Sequence, residues 1–130
     1  IRHFEDTTKN EAIHKIKQTV QAIATKRNLS YEIKELWNVK AAVFHPYLVN
    51  LIYKTAQENG YPVMEMISGA GHDSKYVNEI APTAMIFVPS VNGKSHHESE
   101  LTLDEDIERG ANVLARVVYD LAMNENEITQ

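Results

Sequence analysis

Cysteine is absent from the 130 residues. This excludes disulfides and thiolate metal sites and is compatible with a cytoplasmic setting. A basic excess is absent too: 13 Lys and Arg stand against 18 Asp and Glu, a net charge of -5. With no basic stripe, this argues against a general nucleic-acid partner. No apolar run approaches the roughly 18 residues of a membrane span. No signal peptide, internal repeat or low-complexity segment is visible. An initiating methionine is missing. The chain opens on Ile1-Arg2-His3-Phe4, which reads like the end of a strand, and closes on a polar tail from Asn124 to Gln130. The expectation is a fragment whose beginning lies elsewhere; processing would also explain the start. What is present is ordinary for a globular protein: 43% hydrophobic and 24% charged residues. The length suits one domain with a real core.

Taken in order, Thr8-Lys9-Asn10-Glu11 is a capping-box pattern. Ala12, Ile13, Ile16, Val20, Ile23 and Ala24 then recur at helical spacing and predict a helix to about Lys26, with Asn28 as its stop. Lys15, Lys17, Gln18 and Gln21 form its wet face. Ser30 to Lys40 reads as a strand, with Tyr31, Ile33 and Trp37 on one parity and Glu32 and Lys34 on the other. Pro46 suits the first position of a second helix, which Gly60 and Pro62 end. Val63 to Ile67 and Thr83 to Val88 read as strands, the second apolar on both faces. A short helix, Ser74 to Ile80, capped by Asp73, lies between them. The connection is long enough for a parallel crossover, so the fold class expected is α/β with a parallel sheet. Thr102-Leu103-Asp104-Glu105 is a second capping box before a long amphipathic helix carrying Ile107, Ala111, Leu114, Val117, Val118, Leu121 and Ala122. Trp37, Met64, Met66 and Met85 are expected in the core. A change from charged to apolar elements near residue 43 marks the expected domain boundary.

Chemistry concentrates at Ser68-Gly69-Ala70-Gly71-His72-Asp73 and at Gly93-Lys94-Ser95-His96-His97-Glu98-Ser99-Glu100. The first follows a strand and precedes a helix, where open α/β sheets bind ligands. Its glycines either let backbone N–H groups approach a ligand or merely allow a tight turn. Neither phosphate-loop pattern is present. His72 can donate a hydrogen bond to an anionic group, or it is a plain surface histidine. His96 and His97 are imidazoles of the kind zinc takes, with Glu98 and Glu100 as further ligands or partners; a solvated His-Glu patch is the alternative. Arg2 can clamp a carboxylate with its planar fork, or stay a solvated charge. His3, His14 and His45 have no evident partners.

Ser68 to Asp73, then Pro82-Thr83-Ala84-Met85-Ile86-Phe87-Val88-Pro89-Ser90, then Gly93-x-Ser95-His96-x-x-x-Glu100, resemble the amidase, hydantoinase/carbamoylase family. That family holds allantoate amidohydrolases, N-carbamoyl-L-amino-acid hydrolases and β-ureidopropionases, within the dinuclear-metal aminoacylase and exopeptidase superfamily. Weaker resemblance extends over the whole chain and corresponds to the last third of a family member. The resemblance implies a two-domain metallohydrolase. Residues 1–42 would be the second half of an α+β lid that also makes a homodimer contact. Residues 43–130 would be the C-terminal βαβα part of the catalytic domain.

By motif, His96 matches a metal-ligand histidine, and His97 a position that is not a ligand. His72 and Gly71 match substrate-binding positions, and Arg2 the lid arginine that holds the substrate carboxylate. Glu100 matches a recurrent position. His97 and Glu98 depart from the commoner residues, the latter from proline, which implies local loop differences. The reaction implied is hydrolysis of a ureido or carbamoyl C–N bond, with two divalent ions, zinc or manganese, activating a water and a glutamate shuttling its proton. This chain carries one of those metal ligands and no catalytic residue, since the general-base glutamate is expected upstream. The 130 residues alone are therefore expected not to catalyse. Two other readings stay open: an aminoacylase or metallopeptidase of the same superfamily, and a non-catalytic oligomerisation module built on 8–26 and 30–40. The sequence does not choose among the carbamoyl and ureido substrates.

Overall fold

A computed structural model describes residues 1–124, so most of the polar tail lies outside the described residues. The described residues hold the α-helices α1 (Asp6–Lys26), α2 (Pro46–Glu58), α3 (Ser74–Val77) and α4 (Asp104–Met123), with a 3₁₀ turn at Val91–Gly93. They fall into two compact units. Unit 1 comprises Ile1–Val43 with Ile67–Gly71, and unit 2 comprises Phe44–Met66 with what is described from His72 onward.

In unit 1, α1 starts two residues before the capping box, with Glu5 at the N-cap position. Thr8 is therefore inside the helix, and its hydroxyl donates to the Glu5 carboxylate at 2.9 Å instead of capping. The end of the helix matches expectation. Asn28 takes φ +53, Leu29 N–H donates to the Ala24 carbonyl at 2.9 Å and Asn28 N–H to that of Thr25 at 3.2 Å. These are the two bonds of a left-handed C-terminal motif, a conformation asparagine tolerates better than most residues. Lys9 is buried, and its ammonium bridges Asp6 Oδ1 at 2.7 Å and the Val39 carbonyl at 2.6 Å. Asp6 Oδ1 also accepts from Ala41 N–H at 3.2 Å. The Lys9 ammonium beside it holds the Asp6 carboxyl below its ordinary value. Further along α1, Lys17 pairs with Glu35 at 3.1 Å. Polar links thus join α1 to the segment that follows it.

Unit 2 is organised by the packing of α2 on α4. Pro46 occupies the first turn of α2, where its missing N–H costs nothing. Gly60, at φ +70, ends it with bonds from Tyr61 N–H to the Ala56 carbonyl (3.0 Å) and from Gly60 N–H to that of Gln57 (2.9 Å). Such a φ is what a glycine serves best. The core is Ala56, Val113 and Val117, with Leu51, Ile52, Tyr61, Val63, Ile86 and Leu121 packed around it. α4 begins after Leu103, with no side-chain cap among the described residues, so Thr102 does not cap it as the second box implies. Asp104, Glu105 and Asp106 fill the first turn, favourable at the positive helix end. Arg109 pairs with Asp106 at 2.9 Å and Glu105 at 3.2 Å. Gly110 faces Val88: a Cβ built on Gly110 lies 2.5 Å from Val88 Cγ1.

The expected strands do not form among the described residues. Apolar patterning states which faces of a segment are covered, but a strand exists only when a neighbour completes its hydrogen-bond ladder. Isolated bonds, such as His45 N–H to the Thr83 carbonyl at 2.9 Å, do not make one. Ile86 instead packs against the helix pair. Three residues expected in the core are exposed: Trp37 at 78%, Met64 at 76% and Met66 at 61%. Met85 is half-buried, its sulfur accepting from Ser74 Oγ at 2.8 Å. The helix expected from Ser74 to Ile80 is regular only to Val77 and continues as turns. No described helix is long and apolar enough to cross a membrane.

Candidate functional site

Arg2 lies at the chain's start but does not float. Its Nη1 donates to the Gly69 carbonyl at 2.6 Å, within unit 1. The glycine turn is held locally by Ala70 N–H on Ser68 Oγ at 3.2 Å. Neither Gly69 nor Gly71 takes a left-handed φ, and a Cβ at either would meet nothing within 4 Å. No left-handed turn therefore requires glycine at either position. What they offer is bare backbone facing open space.

His72 opens unit 2. Its carbonyl accepts Lys75 N–H at 3.0 Å as the chain enters α3. Its ring is half-buried and stands edge-on to Phe87, centroids 5.5 Å apart at 63°. Edge-on pairing is one of the favoured aromatic arrangements. Phe87 was legible in the sequence only as part of an apolar run.

His96 sits on a loop that carries its own bracing. At the base, Val91 N–H donates to the Leu101 carbonyl at 2.8 Å, and the Ser90 hydroxyl donates to the Lys94 carbonyl. Inside, Lys94 Nζ donates to Ser99 Oγ at 2.9 Å, and Ser99 N–H to His97 Nδ1 at 3.1 Å. His96 N–H donates to Glu100 Oε2 at 2.9 Å. His96 is exposed and takes φ +56. Its imidazole is thus presented outward, while the His97 ring is engaged with Ser99.

His96 offers one imidazole, but no group of three or more His, Cys, Asp or Glu among the described residues could hold an ion. The described residues do not make a metal site by themselves, and no catalytic step is derived through one. Nor is an open cavity of about 510 Å³ in unit 2 a catalytic cleft: Leu48, Ile52, Ile86, Leu114 and Val118 line it, with no titratable side chain. The remaining histidines have separate surroundings. His3 stacks on Phe4 at 4.6 Å and accepts Glu5 N–H at 3.0 Å. His14 is exposed on α1, and His45 Nδ1 is buried with no hydrogen-bond partner among the described residues.

Several known proteins are similar to this chain over most of its length. Residues 3–120 match the model of peptidase family M20/M25/M40. The chain is 30% identical to an allantoate amidohydrolase of Bacillus subtilis over 122 residues, covering 94% of this chain and 30% of that protein. It is 33% identical to an N-carbamoyl-L-amino-acid amidohydrolase of Rhizobium meliloti over 108 residues, covering 83% of this chain and 26% of that protein. A crystal structure of a hydantoinase/carbamoylase family amidase from Burkholderia ambifaria superposes with TM-score 0.79 at 31% identity, over 92% of this chain and 28% of that one. The chain spans less than a third of the length of the relatives it matches.

Proposed function

The chain belongs to peptidase family M20/M25/M40, and on that premise we propose that it is the C-terminal portion of a metal-dependent amidohydrolase that cleaves a ureido or carbamoyl C–N bond, of allantoate or an N-carbamoyl-L-amino acid. The observation that carries the proposal is the Arg2–Gly69 bond of 2.6 Å. It seats a guanidinium on the turn that bears Gly71, where an acidic substrate would lie against exposed backbone. One of the five guanidinium N–H donors is used on Gly69, and others remain to take a carboxylate. His72, its ring edge-on to Phe87, would donate to the carbamoyl oxygen as charge develops there. The catalytic α/β domain of residues 43–130 and the lid half of residues 1–42 are parts of the same proposal. His96 is assigned as one ligand to two divalent ions, zinc or manganese, with the other ligands and the general-base glutamate supplied by the remainder of the enzyme.

A cytoplasmic homodimer completes the reading. Leu36 and Trp37, 90% and 78% exposed in unit 1, are apolar side chains of the kind a dimer contact covers. The test is ammonia release from allantoate and from N-carbamoyl-L-amino acids, with manganese or zinc added. The full-length enzyme turns over one of them. His96→Ala abolishes turnover, Arg2→Ala raises KM for the acid, and the isolated 130 residues show none. Turnover by the isolated chain, or a full-length enzyme indifferent to loss of His96, refutes the proposal. Sedimentation showing only monomer refutes the dimer.

A further inference from the structure

A residue with a Cβ enters the left-handed region less readily than glycine, and a hydrogen bond to its N–H can hold it there. His96, at φ +56, is held by Glu100. The carboxylate accepts His96 N–H at 2.9 Å, and Glu100 N–H donates to the His97 carbonyl at 2.9 Å. The side chain reaches back over the turn while the backbone closes it from the other side. A charged acceptor makes the stronger form of such a bond. The backbone angle sets where the Cα–Cβ bond points, so releasing that N–H would let the His96 imidazole swing to another direction.

The geometry points to Glu100 as a positioning residue: its carboxylate, through the His96 backbone N–H, fixes the direction of the His96 imidazole. It acts through the backbone and touches no reacting atom. Closure of the loop does not depend on it, because the bonds from Val91 to Leu101 and from Ser90 to Lys94 lie at the base. Loss of Glu100 should therefore misdirect the imidazole while the loop stays in place. The inference rests on the assignment of His96 as a working ligand and adds the group that aims it.

The experiment uses the full-length enzyme labelled with ¹⁵N-histidine and compares Glu100→Gln, Glu100→Asp, Glu100→Ala and His96→Ala. Readouts are the three-bond amide–Hα coupling of residue 96, which reports its φ, together with kcat, KM and Tm. Gln keeps an oxygen at the same reach and is expected to preserve the coupling and most of kcat. Asp keeps the charge but falls one methylene short, and like Ala is expected to lose the coupling and about tenfold or more in kcat, with KM and Tm near wild type. A wild-type coupling in both Asp and Ala variants overturns the inference, as does a Gln variant as damaged as Ala. If His96→Ala leaves kcat intact, the site assignment itself falls and this inference with it. If His96→Ala is inactive while Asp and Ala at 100 are fully active, the site stands and the positioning role falls.

Discussion

Replacing Gly110 by alanine sets two known effects against each other. Glycine in the interior of a helix costs about 1 kcal/mol relative to alanine, so at an indifferent site Gly110→Ala would stabilise α4 by that amount. Here the new methyl would sit 2.5 Å from Val88 Cγ1, well inside contact distance. Val88 is β-branched, stiff at χ1, and cannot simply rotate its methyl away. Forcing an extra carbon into such a contact costs roughly 1–3 kcal/mol. Clash and propensity together leave Gly110→Ala destabilising by about 1 kcal/mol. Val88→Ala removes the opposing methyl. In that background Gly110→Ala should become stabilising by about 1 kcal/mol, a coupling near 2 kcal/mol in the double-mutant cycle. Urea denaturation of the four proteins, followed by circular dichroism, measures it. If Gly110→Ala stabilises equally with and without Val88, the two residues do not touch and this account of the α4 contact is wrong.

Two further outcomes are expected. Asp6 has its folded pKa depressed, chiefly by its hydrogen bond from Lys9. Its contribution is therefore full above the unfolded carboxylate value and is lost as pH falls through the lower folded value; Asp6→Asn should flatten the acid limb of a stability–pH profile, and an unchanged limb counts against the link. Gly71→Ala has no neighbour within 4 Å to strike, so Tm should hold while KM of the full-length enzyme rises; a fall in Tm with KM unchanged would make Gly71 a folding glycine only.

What could be read in the chain beforehand was whatever is settled within a few residues. Asn28 and Gly60 stop their helices by a left-handed residue, and Pro46 begins one because it needs no donor. The start points were misplaced, because Thr8 and Thr102 fit a pattern that their hydroxyls do not execute. The expected strands do not form among the described residues for a different reason: the run from Thr83 to Val88 declares apolar faces but does not name the neighbour that would pair with it. Trp37 and Met64, expected in the core on their apolar character alone, are exposed. At the site, the His96 and Gly71 motifs were visible as residue types. The Gly69 carbonyl under Arg2 and the Phe87 ring beside His72 were not, because a carbonyl has no letter of its own and an aromatic residue in an apolar run looks like packing.

The bond between Arg2 and Gly69 also bears on speed. A free arginine side chain wanders among many rotamers, and stilling it costs up to about 2 kcal/mol. Here part of that loss is incurred when the chain folds, before any visitor arrives. On the proposed reading, an acid bound beside Gly71 would meet an arm already steadied, and the benefit would show as a longer stay and not as a faster arrival.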